Sequence, residues 1–316
     1  MRVLVTGASG LLGSNVVEQM LTHGYEVSVL LRKSSHTLGL KGLHPDIHYG
    51  DLEDSQSICK AAKHCQAIIH CAANTKQWGS SREEYDKINL QGTKHIIEAA
   101  GKVGSDKVVF VSTANTFPVI NDPPLEMDTD YVQSKLAAEE YVLGQKIVKA
   151  VIINPSFMIG PRDSKPSSGQ SILHYLKHNP VYTPAGGKSF IHVKDVAEAI
   201  QKILESSVSG RRYLLANENM SYRSFFKIVA QVSGKKRLII PIPPLAANIG
   251  GTVGHLYGKW TGTIPKLNKV NAAIINNNLF YDGAATYQEL GMKARSIEDA
   301  VGEAVDWFGE NGYLSL

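Results

Sequence analysis

Cysteine is scarce in this chain of 316 residues: Cys59, Cys65 and Cys71 are all there is. An odd count with no C-x-x-C pair argues against a disulfide framework and for a reducing compartment, so a cytoplasmic location is expected. His64 and His70 precede two of the three, yet no structural zinc spacing is matched. Cys71 ends the apolar run "AIIHCAA", where a thiol acts as a small hydrophobe, and no metal is expected. An excess of one charge is also lacking. The formal net charge is +4, and the densest block, Lys235-Lys236-Arg237, reads as a solvated turn. With no RNA-binding or zinc-finger signature, nucleic acid is not expected as a partner. The strand pattern opens at Arg2, so no signal peptide is expected. A spanning helix is missing too. Leu238–Gly258, "LIIPIPPLAANIGGTVGHLYG", has no formal charge but carries three prolines and four glycines. It reads as a proline turn followed by an apolar helix lining a substrate pocket, with peripheral membrane contact as the alternative.

Alternation is what the sequence does have. Apolar runs at Arg2–Thr6, Glu26–Leu31, Ile47–Gly50, Ala67–Cys71, Lys107–Ser112 and Lys149–Asn154 read as strands. Helical patterns fall between them near Leu11–His23, Ser55–Lys63, Glu83–Lys102 and Tyr131–Gln145. Near-continuous Val/Ile runs mean strands covered on both faces. The expected fold is therefore α/β: a Rossmann-type, doubly wound parallel sheet with a smaller mixed C-terminal lobe. Residues 1–154 are expected to bind a dinucleotide, with 188–216 returning to that domain. Residues 155–187 and 217–316 form the substrate lobe. Helices are expected at "VKDVAEAIQKILESS", at Tyr222–Val232, and in the tail behind Ser296; "RYLLANE" reads as a strand.

The stretch "VTGASGLLGS", Val5–Ser14, places Gly7, Gly10 and Gly13 three apart between a strand and a helix. A helix N-terminus favours an anion, and glycine lets a pyrophosphate approach the backbone. Gly7 suits the tight turn, Gly10 the close approach and Gly13 the helix–strand contact. Ser9, Leu11 and Leu12 complete this cofactor-binding elbow. NAD-binding sheets commonly end the second strand with an acid that bonds the ribose 2′-hydroxyl. Here no acid occurs between Glu26 and Asp46, and Arg32 and Lys33 follow the strand. Arginine suits a 2′-phosphate, so NADP(H) is preferred, with NAD(H) as the alternative if Arg32 merely stacks on adenine.

Tyr131 and Lys135 are four apart on one helix face. Carbonyl reduction needs a proton donor, and a nearby ammonium with a cationic nicotinamide would lower a tyrosine pKa from about 10. Moving it three units takes about 4 kcal/mol.

Taken together these motifs resemble the extended short-chain dehydrogenase/reductase superfamily over nearly the whole chain. They are T-G-x-x-G-x-x-G, "GDL" (Gly50–Leu52), "CAA" (Cys71–Ala73), "NLQGT" (Asn89–Thr93), "YVQSK" (Tyr131–Lys135), "NPSFMIGP" (Asn154–Pro161) and "FIHVKDVAEAI" (Phe190–Ile200). The nearest branches are dihydroflavonol 4-reductases and then 3β-hydroxysteroid dehydrogenases. The resemblance implies that Asp51 and Leu52 border adenine, that Cys71, Ala72 and Ala73 run along the cofactor, and that Pro155 and Ser156 follow it. It implies that Lys135 also bonds the nicotinamide ribose. The family's substrate-polarising serine falls on Thr113 in "VVFVSTANTF", with Ser112 a second candidate. Asn89 would order a relay water, or else simply cap a helix.

Thr75, Trp78, Asn115, Phe117, Phe157, Met158 and Phe190 are candidate substrate contacts, with Tyr182 beside them; a hydrophobic, ring-bearing carbonyl compound would suit the aromatics. One rival is an NAD-dependent nucleotide-sugar epimerase or dehydratase, with Arg162 or Arg211 for the diphosphate. Another is a non-enzymatic NADP-binding regulator, which the tyrosine–lysine pair opposes. Helices Glu83–Lys102 and Tyr131–Gln145 resemble those of a homodimer interface, or are buried within one subunit.

Overall fold

A computed structural model describes residues 1–76, 80–120, 129–261 and 269–314. The first half runs β1 (Arg2–Thr6), α1 (Leu11–Thr22), β2 (Glu26–Leu31), β3 (Asp46–Tyr49), α2 (Ser55–Ala62) and β4 (Ala67–His70). It continues with α3 (Arg82–Tyr85), a π-helical turn (Asp86–Gln91), α4 (Gly92–Val103), β5 (Lys107–Val111), α5 (Asp130–Gly144) and β6 (Lys149–Pro155). These strands form a seven-stranded sheet, β10-β6-β5-β4-β1-β2-β3, whose pairs are all parallel and whose last member is β10 (Arg211–Leu215). The chain builds outward from β1 in one direction and from β4 in the other. Between β1 and β4 lies the switch point where such sheets open a crevice.

Alternate strand residues feed two cores. Val3, Val5, Val29, Ile69, Val109 and Ile153 pack with α1 and α7 (Val193–Glu205) on one face. Leu4, Ile68, Val108, Phe110 and Ile152 pack with α2, α4 and α5 on the other. Helix starts follow local chemistry: Asp54 caps α2, Thr129 caps α5, and Ser81 with Glu84 forms a capping box at α3. The predicted helix Glu83–Lys102 is thus three segments, interrupted by one wide turn.

The second half adds β7 (Phe157–Ile159), α6 (Gln170–Lys177), β8 (Val181–Thr183), β9 (Gly187–His192), β11 (Glu218–Ser221) and α8 (Tyr222–Ser233). It ends with β12 (Ile239–Pro241), α9 (Pro244–Thr261), α10 (Lys269–Asn276), β13 (Asn278–Leu279), α11 (Ala284–Glu289) and α12 (Ile297–Glu310). The return to the large sheet is made by α7 and β10. β9, read from sequence as part of that return, instead pairs with β7, β11 and β13 in a smaller sheet. "RYLLANE" likewise splits between two sheets. A third core gathers Phe190, Phe225, Phe226 and Tyr175 against α12. Buried Asp195 ties this end of the molecule together, accepting from the Tyr287 hydroxyl at 2.9 Å and the Arg295 backbone N–H at 3.0 Å.

Two expectations need correction here. Phe190 is no pocket residue: its ring is fully buried and stacked on Phe225 at 4.5 Å. The Leu238–Gly258 segment does form a strand and a helix begun at a proline. Its large apolar side chains, however, face outward rather than into a pocket, because small Ala247, Gly251 and Gly258 fill the inward side.

Candidate active site

The crevice begins at the glycine elbow. Gly7 has φ +69, and a Cβ on it would lie 2.6 Å from the Ala72 nitrogen. A Cβ on Gly13 would lie 2.2 Å from the Gly7 carbonyl oxygen. These two glycines are structural, allowing the first turn, the first helix and the exit of β4 to touch. Gly10 differs. It is exposed, it is the N-cap of α1 without a side-chain cap, and a Cβ there would meet only the Gly7 oxygen at 3.4 Å. Its missing side chain opens the helix N-terminus, a cradle fitted to a pyrophosphate. Ser9, Leu11 and Leu12 flank it. Across the switch point, Cys71, Ala72 and Ala73 are half-buried, and the Ala72 N–H reaches the Thr6 hydroxyl at 3.4 Å.

Arg32 and Lys33 are exposed just past β2, and among the described residues no acid pairs with either. Asp51 and Leu52 follow β3; the Asp51 carboxylate accepts from the Glu53 N–H at 3.1 Å. At the far end, Pro155 closes β6, and the buried hydroxyl oxygens of Ser112 and Ser156 have no hydrogen-bond partner among the described residues. An anion cradle at one end and idle hydroxyls at the other fit a dinucleotide laid along the strand ends.

Helix α5 brings the chemical pair to this floor. Lys135 is 1% exposed; its Nζ donates to the Val111 carbonyl at 2.8 Å and lies 4.2 Å from the Phe110 ring centroid. Burial pushes its pKa down to about 7, against the pull of Glu139 one turn further on. Tyr131, one turn earlier, lies beside Thr113, whose side chain favours the ionised phenol. Burial nevertheless holds that phenol up to about 12. The acidified tyrosine expected from sequence is therefore not produced by the chain alone. The Lys135 amine is turned to Val111, and desolvation dominates. Thr113 caps a short turn at Ala114–Thr116 and lies beside the tyrosine, whereas the buried Ser112 hydroxyl has no partner among the described residues.

Asn89 sits in the π turn. Its carboxamide accepts from the Asn74 N–H at 2.8 Å and donates to the Ser134 hydroxyl at 2.9 Å. It thus locks the loop after β4 to the start of α5. Below it, buried His70 bonds Thr6 at 2.7 Å and Thr93 at 3.2 Å, and Thr93 donates to the Asn89 carbonyl at 2.6 Å. Desolvation pushes His70 down to about 3, so it stays neutral, donating through Nε2 and accepting through Nδ1.

Of the substrate candidates, Asn115 accepts from the Tyr281 hydroxyl at 3.1 Å, and Phe117 lies under the Arg212 guanidinium. Phe157 and Met158 are half-buried, Thr75 is exposed, and Trp78 lies outside the described residues. Sequence reasoning missed three groups. Glu139, four after Lys135, is buried and binds Arg212 at 2.8 Å, the Thr116 hydroxyl at 2.8 Å and the Asn154 carboxamide at 2.6 Å. Its helical spacing from Lys135 was a usable signal. Tyr281 and Lys188, which lies 4.8 Å from the Phe157 ring centroid, had none. Arg162 and Arg211 are already engaged, with Glu18 and Glu289, which weakens the diphosphate role considered for them. No cluster of His, Cys, Asp or Glu among the described residues is arranged to hold a metal.

Two outcomes are expected. Gly13→Ala lowers unfolding free energy by about 1–3 kcal/mol in urea titration, whereas Gly10→Ala leaves it within about 0.5 kcal/mol while weakening dinucleotide binding in calorimetry. Glu139→Gln removes the charge that raises the Lys135 pKa, so the Lys135 ionisation in the pH profile of activity moves to lower pH. An unmoved profile would leave Glu139 a purely structural role.

The chain's residues 3–216 match the model of the NAD dependent epimerase/dehydratase family. It is 31% identical to a putative dihydroflavonol 4-reductase of Synechocystis sp., covering 98% of this chain and 95% of the relative. It is 28% identical to sterol demethylase protein B of Methylococcus capsulatus, covering 99% and 100%. The solved structure of gox2253 superposes with a TM-score of 0.86 at 29% identity over 99% of both chains. The glycine elbow, the parallel sheet around its switch point and the tyrosine–lysine helix accordingly mark a member of the NAD dependent epimerase/dehydratase family, an extended short-chain oxidoreductase acting on alcohol and carbonyl groups.

Proposed function

We propose that the protein is an NADP(H)-dependent reductase, dihydroflavonol 4-reductase-like, that interconverts the carbonyl and alcohol of a hydrophobic, ring-bearing small molecule. The observation that carries this reading is the Thr113–Tyr131 hydroxyl pair at the strand ends, with Lys135 buried behind it. Residues 1–154 with α7 and β10 hold the dinucleotide, and 155–187 with 217–316 form the substrate lobe. Arg32 and Lys33, with which no acid pairs among the described residues, favour the 2′-phosphate of NADP(H). The names of the two relatives, a dihydroflavonol reductase and a sterol demethylase protein, favour a fused-ring substrate.

When bound, the nicotinamide supplies or accepts the hydride. The chain's part is orientation and proton control. Thr113 donates to the substrate oxygen and Tyr131 gives it a proton as the carbon is reduced. Burial keeps the Tyr131 phenol protonated in the chain alone, so the proton is there to give, and the charge that a bound nicotinamide brings would acidify it. Lys135 keeps its proton only while its environment supports charge, and Glu139 provides that support. Asn89 holds the loop and helix in register. Thr75, Asn115, Phe117, Phe157 and Met158 border the substrate. The expected setting is cytoplasmic, with α3–α4 and α5 forming a two-fold dimer interface.

One observation favours the second reading, a nucleotide-sugar epimerase or dehydratase. Burial pushes Lys188 down to about 8, and no acid pairs with it among the described residues, so an anionic substrate group would suit it. Tightly retained, non-exchanging NAD in the purified protein would support that reading and oppose ours.

NADPH oxidation against a panel of aromatic and alicyclic ketones is the decisive assay. Tyr131→Phe should reduce turnover about a thousandfold while cofactor binding persists. Arg32→Ala should raise KM for NADPH about ten- to hundredfold and leave NADH little changed. Equal loss with both cofactors would mean that Arg32 only stacks on adenine.

A further inference from the structure

Helix α9 is built inside out. Leu245, Ile249, Val253, Leu256, Tyr257 and Trp260 are between 56% and 86% exposed. At 100° per residue they fall within a stripe about 120° wide. The opposite side, Ala247, Gly251 and Gly258, is buried. Single exposed hydrophobics need no explanation, but a contiguous helical stripe ending in an outward tryptophan does.

Charge around the stripe selects its occupant. From Asn219 to Tyr281 the sequence has no Asp or Glu, although the whole chain has 29, and it carries eight Lys/Arg. Lys235 and Lys236 are exposed just before the strand that leads into α9. A second copy of this face would bring like charges together. An anionic surface would not. No helix among the described residues is long and apolar enough to cross a membrane, and the exposed stripe of α9 is confined to one side of the helix. We propose that α9 docks the protein on an anionic phospholipid bilayer, its apolar stripe entering the headgroup–acyl boundary and the basic flank meeting the headgroups. Trp260 takes the interfacial position that amphipathic rings favour. The inference does not depend on the reductase reading, since it uses no residue of the crevice.

The full chain is sedimented with phosphatidylcholine vesicles, with and without phosphatidylglycerol. Wild type should pellet with the anionic vesicles and be released by salt. Leu256→Glu/Trp260→Glu should reduce binding about tenfold or more. Lys235→Glu/Lys236→Glu, in an exposed turn, should reduce it severalfold without touching the helix. Ile47→Glu, on the distant edge strand β3, should leave it unchanged. A Trp260 emission shift to shorter wavelength on adding vesicles, absent in Trp260→Phe, reports insertion. Wild type remaining in the supernatant with both vesicle types would overturn the proposal, as would equal binding by all variants. A mass change of the α9 variants in light scattering, without vesicle binding, would assign the face to a second copy and overturn it equally.

Discussion

A lysine amine with almost no solvent contact fixes the geometry of this protein's crevice. Taking an ammonium out of water is unfavourable by several kcal/mol unless other groups replace the lost hydration. Here the Val111 carbonyl, the Phe110 ring face and the Glu139 carboxylate surround Lys135. Each replacement belongs to a different constraint. Val111 ends β5, so the lysine pins α5 to the sheet two residues before Thr113. Glu139 in turn gathers Arg212, Thr116 and Asn154 from β10, the turn after β5, and β6. Once Lys135 is placed, Tyr131 must sit one helical turn earlier, against Thr113. The hydroxyl pair is a consequence of where the amine is solvated.

The same economy shapes the second lobe. Tyr281 follows β13 and donates to Asn115, beside Thr113, so the wall of the crevice is continuous in chain with α10, which precedes β13. Asn276 near the end of α10 bonds the Asn248 carboxamide on α9 at 3.0 Å. Whatever covers the outward stripe of α9 therefore bears on the element that limits the pocket.

The parallel sheet was legible because burial on both faces leaves a strand few residues besides Val, Ile and Leu. The glycine elbow and the Tyr131/Lys135 spacing were legible because both are local. What escaped depended on direction or distance. An apolar helix reads the same whether its large residues face in or out, and α9 faces out. Phe190 and Phe157 lie in similar sequence surroundings, yet one is sealed on Phe225 and the other lies at the core's margin. β9 was assigned to the wrong sheet because its apolar run suits either. Arg212 could not be paired with Glu139 from spacing at all. The lowered tyrosine pKa is expected from the ammonium and the nicotinamide together, and in the chain alone desolvation outweighs the ammonium.

The wide turn at Asp86–Gln91 makes chain length here a structural quantity. Removing one codon there would restore a uniform α-helix and swing everything on one side by about 100°. Tyr85, whose ring lies 6.1 Å from that of Tyr131, and Asn89 could not both keep their places. Residue type at outward Lys87 and Gln91 is therefore free to change in a way that the length of the stretch is not.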